Sequence, residues 1–270
     1  MNDEVKWIAE LRSNNPQIKI VPRFMFEGWS SLDIERFLLS EVLQIRCLRA
    51  VTEFLLRNEM EGAVIEIWLQ ILSETHGDFQ IELVELIVSW ADEFHKNSLE
   101  IIITLPLPLI NKNEFSDVVT PEDFDTLSRH VDFINLMAYD YRSTKFEGVA
   151  PLDWIRNNIE FLTQMSPKYS NKILMGLNFY GYIMKEGRLD PIINDEYIEL
   201  IKSNDAILNW NSVTKEHFIT SRETRFLCYF PTVTSIKYRL MLAKQMNVGI
   251  GIWEIGQGLN YFTKLLCQYF

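Results

Sequence analysis

The chain has 270 residues, 47% apolar and 23% charged, with a net charge of −11. That length and balance suit one globular domain with a sizeable core. The acidity argues against nucleic acid, which is held by Lys and Arg, and against an anionic membrane surface. No apolar run reaches the roughly 18–20 residues that span a bilayer.

Taken in order, the first residues, MNDEVKWIAELRS, are polar with apolar positions on one helical face, and so do not read as a signal peptide. IKIVPRFMF (18–26) reads as a strand, and Ser30-Ser31-Leu-Asp33 as a helix start. Residues 41–58 have helical spacing, and GAVIEIWLQ (62–70) reads as a buried strand. A helix over 83–97, a strand over 101–108, a helix over 121–131 and a strand over 133–141 follow. Thr120 and Pro121 cap the helix at 121. A helix over 152–165 leads to a strand over 172–181.

The rhythm then breaks. Residues 181–225 are mixed and polar, and read as an insertion of a helix and a hairpin. RFLCYFP (225–231) is a further strand-like run, before a helix (235–247), a last strand (248–255) and a last helix (259–270). Near-continuous apolar strands alternating with helices imply parallel β/α units, six of them, in one domain over 1–270. The Gly-rich turn of a nucleotide-binding sheet is absent: Gly249 and Gly251 lie inside the last strand. The three Cys (47, 228, 267) and four His form no metal-ligand spacing, so neither metal nor cofactor is expected.

Five segments together resemble glycoside hydrolase family 18, the chitinases. EGAVIEIWLQ (61–70) is similar to that family's fourth barrel strand, D-G-x-D-x-D-x-E. IVPRF (20–24) fits its third, LMAYDY (136–141) its sixth, GLNFYG (176–181) its seventh and GIWEIGQG (251–258) its eighth. Within the family, PRFMFEGW (22–29), GLNFYG and IWEIGQGLNYF (252–262) look most like the chitinase domain-containing protein 1 type. The resemblance implies a (β/α)8 TIM barrel lacking strands 1 and 2 here, with a small α+β insertion after strand 7. It also implies a secreted or lysosomal protein, although these residues alone point to the cytosol.

The resemblance further implies a site. In the family, the last Glu of the fourth-strand motif is the general acid, and the Asp two residues earlier orients the substrate's acetamido group. Aligned on Gly62, the motif's three acidic positions carry Val64, Glu66 and Trp68. Side chains alternate along a strand, so these three are expected to share one face, pointing into the barrel, with Trp68 at the rim where barrel chemistry is done. An indole has no acid to give near neutral pH, so no catalytic residue is assigned. Carbohydrate binding is expected of Glu66, Trp68, Tyr139, Asp140, Asn178, Tyr180 and Trp253, with Glu27, Trp29 and Glu254 at strand ends. The expected function is binding of chitin or amino-sugar oligosaccharides without hydrolysis. The alternatives are a weak hydrolase with a displaced acid such as Glu66 or Asp140, and a protein-interaction module, with a protein receptor, whose sugar site is vestigial.

Overall fold

The computed structural model describes residues 3–111, 114–143, 145–223 and 225–269. In chain order the first elements are α1 (Asp3–Asn14), β1 (Arg23–Phe24), α2 (Ser31–Leu38), α3 (Glu41–Arg57), β2 (Gly62–Ile65), α4 (Trp68–Glu74) and α5 (Gln80–Lys96). Then come β3 (Glu100–Leu105), β4 (Leu109–Asn111), β5 (Glu114–Phe115), α6 (Pro121–His130), β6 (Phe133–Leu136), α7 (Leu152–Thr163) and β7 (Ile173–Asn178). The rest is β8 (Gly181–Lys185), β9 (Arg188–Ile192), α8 (Asn194–Lys202), β10 (Ala206–Asn211), β11 (Glu216–Ser221), β12 (Phe226–Tyr229), α9 (Val233–Met246), β13 (Gly249–Trp253) and α10 (Phe262–Leu266).

The chain divides into two compact units, Met1–Thr104 with Thr126–Ile134, and Leu105–Asp125 with Asn135–Phe270. In the first unit β1 pairs in parallel with β2, Arg23 opposite Val64, and β2 with β3, Gly62 opposite Glu100. Gly62 is required by closeness: a Cβ there would run into the Glu100 backbone. Asp132, just before β6, donates its N–H to the Ile101 carbonyl at 3.0 Å. Ile34, Phe37, Leu55, Leu83, Phe94 and Ile101 bury the apolar faces of α2, α3, α5 and β3 in one core. The helix start at Ser30 is a reciprocal capping box: Ser30 Oγ accepts from Asp33 N–H at 3.3 Å, and Asp33 accepts from Ser30 N–H at 3.0 Å.

In the second unit β13 pairs in parallel with β7, from Gly249 opposite Leu174 to Trp253 opposite Asn178. The region after β7 is larger in β-structure than a helix and a hairpin. It forms a five-stranded antiparallel sheet in the order β10-β11-β12-β8-β9, with α8 between β9 and β10. The run at 225–231 is the central strand of that sheet, bonded to β11 on one side and β8 on the other. Phe226, Cys228, Tyr229 and Phe230 in it are buried, within an antiparallel sheet rather than a parallel layer. A buried ion pair joins this sheet to α9: Arg239 Nη2 lies 3.5 Å from Glu216 Oε1, which also accepts the N–H groups of Val149 and Ala150 at 3.1 Å each.

Several strand expectations shorten: the run 18–26 is strand only at Arg23–Phe24, the run 62–70 stops at Ile65, the run 101–108 at Leu105 and the run 133–141 at Leu136.

Candidate functional site

The first unit holds the positions matched to the acidic strand motif. Val64 and Glu66 are half-buried on one side of β2 and its continuation, while Ala63, Ile65 and Ile67 are buried on the other. Glu66 accepts from Arg23 Nη1 at 3.0 Å, an ion pair partly open to solvent. Trp68 breaks the alternation. The chain turns helical at this residue, with Ile71 N–H donating to Ile67 O at 2.9 Å, and the indole is only 1% exposed. The strand parity that placed Trp68 at a rim therefore fails, and the ring packs in the core of its unit rather than offering a face to a sugar. Glu27 is exposed. Trp29 stacks on Phe26 at 4.1 Å and meets Phe37 edge-on at 5.3 Å, a packing role. Gln70 on α4 ties the loop by accepting from Phe26 N–H at 3.2 Å and donating to the Phe26 carbonyl.

The second unit assembles a polar constellation at the end of β6. Asp140 has φ +61°, a left-handed conformation that Asp tolerates better than most residues. Tyr141, next in the chain, donates its N–H to Val149 O at 2.9 Å, which closes the loop between them. The end of β7 and the start of β8 bring two phenols to Asp140. Tyr180 and Tyr182 donate to its Oδ1 at 2.5 and 3.0 Å. They flank Gly181, so both side chains leave the same side of the extended chain. The Tyr180 ring lies 6.1 Å from that of Tyr139 and 5.6 Å from that of Tyr182, edge-on in both cases. A Cβ on Gly176 would come within 2.9 Å of the Tyr139 ring, so glycine lets that ring lie against β7. Asn178 is buried and donates Nδ2–H to Tyr180 O at 2.8 Å, fixing the turn that carries the phenol.

Electrostatics decide what this group can do. Burial, then the Asp140 charge, raises Tyr180 far beyond the ordinary phenol range; the same two causes push Tyr182 up to about 12. Both phenols stay protonated at neutral pH and act as donors. Asp140 is exposed, and its Oδ2 accepts from none of the described residues. A carboxylate held by two donors with one oxygen open is a hydrogen-bond acceptor aimed at a ligand. It borders a cleft of about 480 Å³ lined by Tyr141, Arg142, Phe146, Tyr182 and Leu189 among others.

Of the residues singled out from sequence, Tyr139, Asp140, Asn178 and Tyr180 come together here. Trp253 ends the neighbouring β13 with its ring 36% exposed, and Glu254 after it is also exposed. Glu66 is in the first unit with Arg23. Tyr182 was not anticipated; its signal was the two-residue spacing from Tyr180 across a glycine. Among the described residues no group of three His, Cys, Asp or Glu could hold a metal, and no helix is long and apolar enough to cross a membrane.

The sequence pattern of the glycosyl hydrolases family 18 matches residues 4–258. The chain belongs to this family. Among curated relatives, the cortical fragment-lytic enzyme of Bacillus subtilis is 28% identical over 192 residues, 66% of this chain and 44% of the relative. The uncharacterized glycosylase YvbX of the same organism is 23% identical over 182 residues, 64% of this chain and 52% of the relative. The chain thus spans about half the length of the curated relatives it matches. The crystal structure of a chitinase from Chromobacterium violaceum superposes with a TM-score of 0.82 at 16% identity, covering 99% of this chain and 84% of that one. A class V chitinase from Nicotiana tobaccum in complex with NAG4 gives 0.81 at 13% identity, covering 98% and 84%. At such identities the structural likeness establishes the fold, the parallel α/β fold of family 18 glycosidases, which agrees with the reading of the strand motifs.

Proposed function

We propose that this family 18 chain binds chitin or another amino-sugar oligosaccharide at the Asp140 cleft without hydrolysing it. The observation that carries the reading is Asp140, gripped on one oxygen by Tyr180 and Tyr182 and open on the other. Such a group orders sugar hydroxyl or amide donors, while the two phenols that hold it are too weakly acidic to pass a proton at neutral pH. The position matched to the family's acid carries Trp68, whose indole has no titratable proton near neutral pH. Losing a positioned general acid costs about 10²–10⁴ in rate. The exposed Trp253 ring adds an apolar face of the kind on which sugars stack.

In this proposal β1, β2, β3, β6, β7 and β13 correspond to family strands three to eight. The narrower likeness to the chitinase domain-containing protein 1 type rests on the motifs at 22–29 and 252–262 alone. A secreted or lysosomal setting is part of the same proposal and rests on that likeness; a protein receptor belongs to the alternative in which the insertion binds a partner and the sugar site is vestigial.

The test is a titration with the tetramer of N-acetylglucosamine, followed by intrinsic fluorescence, beside a fluorogenic chitobioside assay on the same sample. Binding without turnover, with affinity reduced at least about tenfold in Asp140→Ala, is the expected result. No binding at millimolar ligand by a folded chain would reject it. The lytic relatives favour a second reading, hydrolysis by a displaced acid. Turnover abolished by Glu66→Gln or Asp140→Asn would establish that reading instead.

A further inference from the structure

The Asp140 cleft has a second chemical character that a neutral chitin chain does not use. Arg142 and Lys145, both exposed, line it together with Asp140. Among the described residues neither cation makes an ion pair, although the chain carries 37 acidic against 26 basic residues. Asp140 is the one carboxylate in the lining, and its Oδ1 already accepts from two phenols. The other acid of the loop, Glu147, lines a different pocket, with Tyr141, Trp154 and Val213. The backbone that carries the cations is anchored at its far end, because Glu216 accepts the N–H groups of Val149 and Ala150 and Tyr141 N–H donates to Val149 O.

Two unpaired cations beside an aromatic wall of Tyr141, Phe146 and Tyr182 match a sugar chain that carries carboxylates among its amino sugars. Building on the reading of this cleft as a glycan site, we infer that its ligand is an anionic amino-sugar glycan. Asp140 accepts from hydroxyl or amide groups of one residue, and Arg142 and Lys145 meet the carboxylate of a neighbouring one. The attraction is between exposed groups, so it is modest per pair and weakened by salt.

The experiment compares two probes on the full chain by calorimetry: the neutral N-acetylglucosamine tetramer and a tetrasaccharide alternating N-acetylglucosamine with glucuronate. At low salt the charged tetrasaccharide binds about tenfold more tightly, and the ratio falls toward one at roughly 0.5 M salt. In Arg142→Gln/Lys145→Gln the ratio at low salt also falls toward one. Tighter or equal binding of the neutral tetramer by the unaltered chain overturns the inference while leaving the glycan site standing. A charge preference that survives the double substitution likewise overturns it. If neither sugar binds, the glycan site itself falls, and this inference with it.

Discussion

Replacing Arg239 by Met tests whether the insertion sheet is held to the Asp140 loop by a buried charge pair. Arg239 is 4% exposed and faces Glu216 at 3.5 Å, while also donating to the carbonyls of Lys215 (3.1 Å), Ser235 (2.8 Å) and Ala150. Burial pushes the Glu216 carboxyl up from its ordinary value, and Arg239 with the Val149 and Ala150 N–H groups pulls it back. Removing the guanidinium removes that opposing pull. A buried ion left without its partner costs about 3–5 kcal/mol, unless the carboxyl escapes by taking a proton. The native state would then hold a proton that the unfolded chain has lost above its own value of about 4.3. Between those two values stability falls as pH rises, by up to about 1.4 kcal/mol per pH unit. Urea denaturation of Arg239→Met and the unaltered chain at pH 5 and pH 8 checks this. The expected penalty is larger at pH 8 than at pH 5 and reaches the 3–5 kcal/mol range. An equal penalty at both pH values, or one below about 1 kcal/mol at pH 8, would refute the argument.

Tyr182→Phe removes one of two donors to Asp140 from a half-buried ring. It should weaken binding of the N-acetylglucosamine tetramer several-fold while shifting unfolding by no more than about 1 kcal/mol, read by titration and urea melts. Gly62→Ala sets a methyl against the Glu100 backbone. It should cost about 1–3 kcal/mol or more, visible as a lower urea midpoint with an unchanged slope.

The fold was largely legible because its strands are apolar runs bounded by helix signals. The capping box at Ser30 and Asp33 falls where the pattern puts it, and the strand at Glu100–Leu105 begins within one residue of its expected start although it ends three short of 108. The insertion was less legible. Its strands β8 to β10 are part-exposed with polar positions among the apolar ones, and their antiparallel pairing leaves no long apolar run to find. In the site, Asp140 and Tyr180 could be named from their motifs, but their partnership could not, since it joins residues 40 apart. Tyr182 was not legible because it lies in the first strand of the insertion, beyond the last residue of the GLNFYG motif. Trp68 was placed by extending a period of two past the residue where the period changes.

That change of period also bears on whether hydrolysis could be restored by returning the family's residue to position 68. The indole fills a core position at the start of α4, in the company of buried Ile65, Ile67, Ile71 and Leu72 on its own segment. Trp68→Ala should therefore cost about 3–5 kcal/mol, as for other buried large aromatic residues, where a ring standing at a rim would cost well under 1. Trp68→Glu adds the burden of a carboxyl taken out of water without a partner of its own. Its expected outcome is a less stable chain with no release of fluorophore from chitobioside. Turnover by Trp68→Glu, with the urea midpoint kept, would mean that this side chain looks into an open mouth. The loss of the acid would then be one substitution deep, whereas burial of the indole makes it a property of how the whole segment from Ile65 to Glu74 is packed.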